Sequence, residues 1–167
     1  MSKFIIVDES DNIIGAKERS EILPEDIYRV SGLMLANSND EVLIARRAYT
    51  KSHDPGKWGP AVAGTVEEGE TYEQNIIKEA EEELGLVNIK PIPGPKIFRN
   101  AEHRYFAQWF ILKMDKPIRE FKVQEVEVAE IKWIKIEELI DAIQNQHQDF
   151  LAGAPQWLDI VKSLKDE

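Results

Sequence analysis

The chain has 167 residues, 43% of them hydrophobic and 31% charged, a length and balance that fit one globular domain over residues 1–167 and exclude disordered, collagen-like and fibrous classes. Its 31 acidic residues against 21 basic ones give a formal net charge of -10, which argues against a broad grip on a nucleic-acid polymer or an anionic membrane surface. The absence of cysteine removes disulfides, thiol nucleophiles, Cys-ligated zinc and iron–sulfur clusters, and with no apolar run near the ~20 residues of a spanning helix and only four apolar residues at Phe4–Val7 for a signal peptide, a cytoplasmic address is expected.

Phe4 to Val7 is a β-branched run closed by Asp8-Glu9-Ser10-Asp11-Asn12 and resumed by Ile13-Ile14-Gly15, so an N-terminal hairpin over about residues 3–16 is expected. Glu18 to Asp26 reads as a polar connection. Tyr28 to Ala36 and Val42 to Ala45, on either side of Asn37-Ser38-Asn39-Asp40, predict a second, longer hairpin. Tyr49 to Pro60 carries Pro55-Gly56 and Gly59-Pro60 and reads as a loop of a length that is often functional. Thr71 to Leu84 has helical periodicity, with Thr at its start and Gly85 just past its end. Pro91, Pro93 and Pro95 forbid a central strand, whereas His103 to Lys113 is apolar on both alternating faces, the pattern of a strand covered on both sides. Lys116 to Ala129 is polar loop, Ile131 to Ile134 a strand, and Glu137 to Gln144 and Gln156 to Leu164 amphipathic helices. The order predicts an α/β (α+β) fold with a mixed β-sheet sandwiched between helices. The three histidines, His53, His103 and His147, are too scattered to form a metal motif in sequence.

On a wheel of the Thr71–Leu84 helix, Ile76, Ile77, Ala80 and Leu84 share an arc of roughly a hundred degrees, the width of a core-facing stripe. Glu79, Glu82 and Glu83 lie beside it, where like charges at i, i+3 and i+4 repel by a few tenths of a kcal/mol per pair. A helix needing only solubility would interleave Lys at such positions. A solvated acidic face and a magnesium site are the two readings, since Mg²⁺ takes a few carboxylates together with water and substrate phosphates. Composition leaves both open.

The stretch from Gly64 to Leu86 resembles the Nudix box: a glycine, five residues, Glu, seven residues, Arg-Glu, an aliphatic, any residue, Glu-Glu, any residue, Gly, an aliphatic. Gly64, Glu70, Glu79, Ala80, Glu82, Glu83, Gly85 and Leu86 all fall in place, and the one departure is Lys78 where the family has Arg. Val7-Asp8-Glu9 with Asn12 and Gly15, then Ala45-Arg46-Arg47-Ala48, Lys51, Pro55-Gly56 and Trp58, are similar to the Nudix group related to isopentenyl-diphosphate isomerase. In true isomerases a catalytic Cys and a metal-binding His fall on what are here Ala63 and Thr65, and a methyl and a hydroxyl do not replace them.

The resemblance implies a Nudix pyrophosphohydrolase, using Mg²⁺ with Mn²⁺ as a substitute, that cleaves a nucleoside diphosphate or derivative by attack of water on phosphorus. By the same resemblance Glu79, Glu82 and Glu83, with the carbonyl of Gly64, are the metal ligands, and Glu70 pairs with Lys78 to brace the loop against the helix. Arg47 and Lys51 match positions that hold diphosphate. Glu125 stands where the family often keeps a further ligand or base; Glu127 is its rival, and Glu82 is a third candidate for the base. Trp58 is a candidate for stacking on a nucleobase or a packing plug, and Arg104, with His103 and Tyr105, lines a cleft or simply opens a strand. The alternatives are a Nudix domain that binds a nucleotide without cleaving it, against which the three intact carboxylates weigh, and an isomerase, against which Ala63 and Thr65 weigh. Small-molecule diphosphates are the expected partners, and both monomer and homodimer stay open.

Overall fold

The protein is described from a computed structural model that covers residues 2–165. β1 (Phe4–Val7) and β2 (Ile13–Lys17) form the N-terminal hairpin, and β1 joins β3 (Ile27–Ala36) through Ile6↔Tyr28 and Val7↔Ile27. Asp11 turns the hairpin in the left-handed region at φ 62. Its carboxylate accepts hydrogen bonds from Arg29 Nε at 2.8 Å, the Tyr72 hydroxyl at 2.9 Å and Lys96 Nζ at 2.7 Å, which ties the turn to three other elements.

β3 is the axis of the sheet. It runs parallel to β8 (Arg104–Lys113) from Ile27↔Arg104 to Ala36↔Lys113 and antiparallel to β6 (Val62–Thr65), with Ser31 opposite Gly64 and Gly32 opposite Ala63. β4 (Glu41–Arg47) touches β3 only at Ala36↔Val42 and then pairs with β9 (Val128–Lys135) and β5 (Trp58–Pro60). The second hairpin expected from Tyr28–Ala36 and Val42–Ala45 therefore does not form as a ladder. Both edges of β3 are occupied by partners distant in sequence, and a hydrophobic pattern specifies a strand without specifying its neighbour. β7 (Ile92–Asn100) includes Pro93 and Pro95; it pairs only with β8 and shifts register between Pro93 and Lys96, which is how an edge strand accommodates prolines.

Alternation along β3 divides the core in two. Leu33 and Leu35 face one side, with Ile76, Ala80 and Leu84 of α1 (Tyr72–Leu84). Met34 and Ala36 face the other, with Ile136, Leu139 and Ile143 of α2 (Ile136–Asn145) and Trp157, Ile160 and Val161 of α3 (Ala154–Leu164). The mixed nine-stranded sheet thus lies between α1 on one face and α2 and α3 on the other. No helix among the described residues is long and apolar enough to cross a membrane.

Gly32 matters to this arrangement because the Trp109 indole lies across it on the way to Trp157, whose ring centroid is 6.1 Å away. A Cβ at position 32 would stand 2.4 Å from the Trp109 ring. Gly32→Ala should cost about 1–3 kcal/mol by overpacking, lowering the melting temperature by roughly 2–4 °C per kcal/mol. An unchanged melting temperature would mean that Trp109 has room to move and does not lock β3 to the α3 face.

Candidate functional site

α1 is fixed at both ends. Thr71 caps it through a reciprocal box, its hydroxyl accepting from Gln74 N at 3.1 Å while Gln74 Oε1 accepts from Thr71 N at 3.0 Å. Gly85 ends it at φ 70, its N–H donating to the Ala80 and Glu81 carbonyls. Ser31 Oγ on β3 donates to Tyr72 O at 2.8 Å, which sets the helix start against the sheet. The buried stripe is Asn75, Ile76, Ala80 and Leu84; Ile77, expected in it, is only half-buried, and Asn75 takes a place that composition gave no reason to assign to the core.

The acidic edge of the helix comes down on β6. An ideal Cβ on Gly64 would meet Glu79 Cγ at 2.6 Å, Glu79 Cδ at 2.8 Å and Asn75 Oδ1 at 3.1 Å, so only a glycine fits there. The Glu79 and Glu83 carboxyl groups, one helical turn apart, stand close enough for each to act on the other's protonation. Burial, aided by the Glu79 and Glu127 carboxylates, pushes Glu83 up to about 9, and burial raises Glu79 as well. At neutral pH the pair therefore keeps a proton that two ionised carboxylates so close would not tolerate losing. Glu82, one position before Glu83, is exposed at the mouth of the cavity.

Glu70 and Lys78 meet, with Lys78 Nζ 2.7 Å from Glu70 Oε2, but Lys78 also reaches Glu67 Oε2 at 2.8 Å. Burial opposes the Lys78 charge, and the hydrogen bonds to Glu67 and Glu70 more than restore it, raising its pKa. Glu70 Oε1 accepts in addition from Glu67 N at 2.8 Å and Asn75 Nδ2 at 3.1 Å. Asn75 Nδ2 also donates to Thr65 O at 3.1 Å, and its Oδ1 is buried without a partner. Sequence reasoning missed both Glu67 and Asn75; the Nudix pattern leaves their positions free, so nothing in it could have signalled them.

Around these groups is a cavity of about 450 Å³, lined among others by Arg47, Lys51, Ala63, Gly64, Glu82 and Glu127. The long loop after β4 is folded onto the strand end by Gly56 N donating to Arg47 O at 3.1 Å, and Arg47 Nε donates to His53 O at 3.0 Å. Lys51 pairs with Glu127. Glu125 is exposed and does not line the cavity, whereas Glu127 does. The cause is a turn: Gln124 N donates to Glu83 O at the end of α1, Glu127 N donates back to Gln124 O, and Ala48 N donates to Glu127 O. That leaves Glu125 at the outer corner of the turn.

Two further expected residues lie elsewhere. Trp58 is buried in the core beneath α2 and α3, with Arg46 5.2 Å and Lys132 4.6 Å from its ring centroid, so its faces are already covered. Arg104 points to the N-terminal hairpin side, donating to Asn100 Oδ1 and Glu25 O with Glu9 3.5 Å away. Arg104 lines neither this cavity nor the adjoining hollow of about 590 Å³ that opens past Arg47 and Thr65, although its neighbours His103 and Tyr105 line the hollow.

Among the described residues no three acidic or histidine side chains stand together as a ready-made metal cluster. The groups present nevertheless fit a hard divalent cation that keeps water and phosphate among its ligands. Glu79 presses on a glycine with Glu83 and Glu82 lining the same cavity, and an orphaned amide oxygen offers a hydrogen-bond acceptor to water.

Residues 27–154 match the NUDIX domain family. The chain is 32% identical to an uncharacterized Nudix hydrolase of Pseudomonas aeruginosa over 78% of its length and 77% of that protein's. It is 28% identical to another of Yersinia pestis, over 92% of this chain and 84% of the other. A Deinococcus radiodurans crystal structure superimposes with a TM-score of 0.81 at 23% identity, covering 96% of this chain and 98% of that one.

The Glu79–Glu83 pair makes stability depend on pH. Below about 4.5 the Glu83 carboxyl is protonated whether folded or unfolded, and between about 4.5 and 9 the unfolded chain sheds the proton while the folded chain holds it. In metal-free buffer the melting temperature should therefore decline as pH rises through that window, and Glu83→Gln should flatten the decline. A wild-type profile parallel to that of Glu83→Gln would dispose of the shared proton.

Proposed function

This chain belongs to the NUDIX domain family, and from that premise we propose that it is a magnesium-dependent pyrophosphohydrolase cleaving a nucleoside diphosphate or a derivative of one by attack of water on phosphorus. As a Nudix hydrolase it acts on phosphorus-containing anhydrides. The observation that carries the finer reading is the packing of Glu79 onto Gly64 with Glu83 beside it, in the same cavity as Arg47 and Lys51. Acids that share a proton suit a site where a divalent cation takes the proton's place, and guanidinium and ammonium groups across the cavity suit the phosphates.

In this reading Glu79, Glu82, Glu83 and the Gly64 carbonyl hold Mg²⁺ or Mn²⁺, which when bound neutralises phosphate charge and acidifies water. Arg47 orients the diphosphate. Lys51 is shared between the diphosphate and Glu127, so arrival of substrate frees a carboxylate close to the reacting phosphorus. Glu127 and Glu82 are then the acids available to take a proton from water, and Glu125 has no part in the reaction. The Lys78 clasp on Glu67 and Glu70 holds the loop from which β6 enters the helix. We further propose one Nudix domain over the whole chain, with the hairpin of residues 3–16 as its extension, on the framework of the isomerase-like group. Ala63 and Thr65 supply neither the thiol nor the imidazole of an isomerase.

Glu83→Gln and Glu127→Gln should each lower kcat by about 10² or more, by comparison with loss of one group that stabilises a transition state. Glu125→Gln should stay within about twofold of wild type, because exposed substitutions away from the chemistry change little. Phosphate release from a panel of nucleoside diphosphates and their derivatives, with magnesium and with EDTA, checks both. Full activity in EDTA, or in Glu83→Gln, would overturn the metal assignment, and loss only in Glu125→Gln would overturn the assignment of Glu127. The same protein should not interconvert isopentenyl and dimethylallyl diphosphate; turnover of either with enzyme far below substrate would contradict the hydrolase reading.

A further inference from the structure

Several cations of this acidic protein are already paired with carboxylates. Lys17 pairs with Asp26, Arg29 and Lys96 with Asp11, Lys78 with Glu67 and Glu70, and Arg104 with Glu9. Four arginines among the described residues, Arg19, Arg47, Arg99 and Arg119, have no carboxylate within 4.0 Å, and three of them, Arg19, Arg47 and Arg99, stand on one hollow. Arg19 lies over the Phe4 ring, 5.4 Å from its centroid, and Arg99 makes only long contacts of 3.4 Å to Ala152 O and Gln156 Oε1. Glu102 and Asp54 also line the hollow but pair with none of the three. In a chain of net charge -10, three guanidinium groups left unpaired at one place have their electrostatic partner in something the chain does not contain.

The wall between Arg19 and Arg99 is made of Tyr28 on β3 and Tyr105 on β8, which face each other in register with ring centroids 5.5 Å apart. Burial pushes the Tyr28 hydroxyl up to about 12 and raises Tyr105 too, so both are neutral hydrogen-bond donors at any physiological pH. The floor is Gly153, where a Cβ would come within 3.3 Å of the Tyr105 hydroxyl and 3.9 Å of Arg99 Nη1. The lining is therefore rich in donors, open at its floor, and joined to the carboxylate cavity past Arg47 and Thr65. Its volume of about 590 Å³ exceeds that of the carboxylate cavity, about 450 Å³, which leaves space for much more than a diphosphate.

We propose that this hollow is a subsite for a second phosphoryl group of the substrate, remote from the diphosphate that is cleaved, held by Arg19 and Arg99 with the Tyr28 and Tyr105 hydroxyls as further donors. The proposal rests on the pyrophosphohydrolase reading for what the neighbouring cavity holds. The second phosphate has two sources, an ester on a ribose hydroxyl or the far end of a longer phosphate chain, and both present the same dianion to the arginines.

Binding to compounds without a cleavable anhydride separates this subsite from catalysis. Calorimetric titration with magnesium present would compare adenosine 5′-phosphate with adenosine 2′,5′- and 3′,5′-bisphosphate, and the fully methylene-bridged analogues of ADP and ATP with each other. The extra phosphate should tighten binding at least tenfold in one of the two series, and the Arg19→Gln/Arg99→Gln double variant, with an unchanged melting temperature, should lose that gain while binding the shorter compound as wild type does. A gain in the ribose series assigns an ester, and one in the methylene series assigns a chain end. Equal affinities within both series, or a gain that survives the double variant, would overturn the subsite. Failure of the pyrophosphohydrolase reading would instead appear as no magnesium-dependent turnover of any diphosphate while the bisphosphate gain and its loss in the double variant persist.

Discussion

The close approach of Glu79 to the Cα of Gly64 is the contact on which the site depends. It brings a helix edge that carries three carboxylates within van der Waals distance of a strand, and a helix so charged would otherwise stand off into solvent. Several fixed points hold it down: the Thr71 cap, the Gly85 terminus, the Ser31 hydroxyl on Tyr72 O, and the apolar stripe packed on Leu33 and Leu35. Each is neutral, so burial and capping hold the acidic edge down, while Lys78 and Lys51 offset its repulsion only in part. The carboxyl groups respond by keeping a proton.

The same contact propagates outward. The last carbonyls of α1 accept from Lys122 N and Gln124 N, which anchors the approach to β9 and presents Glu127 to the cavity. At the other end Asn75 binds Glu70 and the Thr65 carbonyl together, and Glu70 passes the connection to Lys78, which also holds Glu67. Where a guanidinium would bind a carboxylate through two parallel bonds, the ammonium of Lys78 divides its donors between two carboxylates. The substitution of Lys for the family's Arg is thus accompanied by a second acid, and the clasp spans the loop from both sides.

Charge is sorted over the molecule in a way that its net value conceals. A chain of -10 would repel phosphate at long range, yet three of the four arginines among the described residues that lack a carboxylate partner gather on one cleft. Low-dielectric walls of Tyr28, Tyr105 and Phe4 strengthen their field there.

The sequence by itself determined the features whose cause is local. The α1 helix and its ends were legible because Thr71, the apolar spacing and Gly85 act within a few residues of one another, and the box from Gly64 to Leu86 carried the family because its spacing is set by one strand, one turn and one helix. The mixed sheet between helices was legible for the same reason, from alternation and periodicity. Tertiary structure alone decided what depends on partners far along the chain. It left β3 a single pairing with β4, at Ala36↔Val42, and gave most of its length to β6 and β8, because a strand pattern does not name its neighbour. It turned Glu127 inward and Glu125 outward through two backbone hydrogen bonds at the end of α1, buried Trp58 between two cations, and sent Arg104 to the hairpin. It also brought Arg19, Arg47 and Arg99 to one hollow from three separate elements, since side chains so far apart in sequence meet only when long-range packing has set the distances between their backbones.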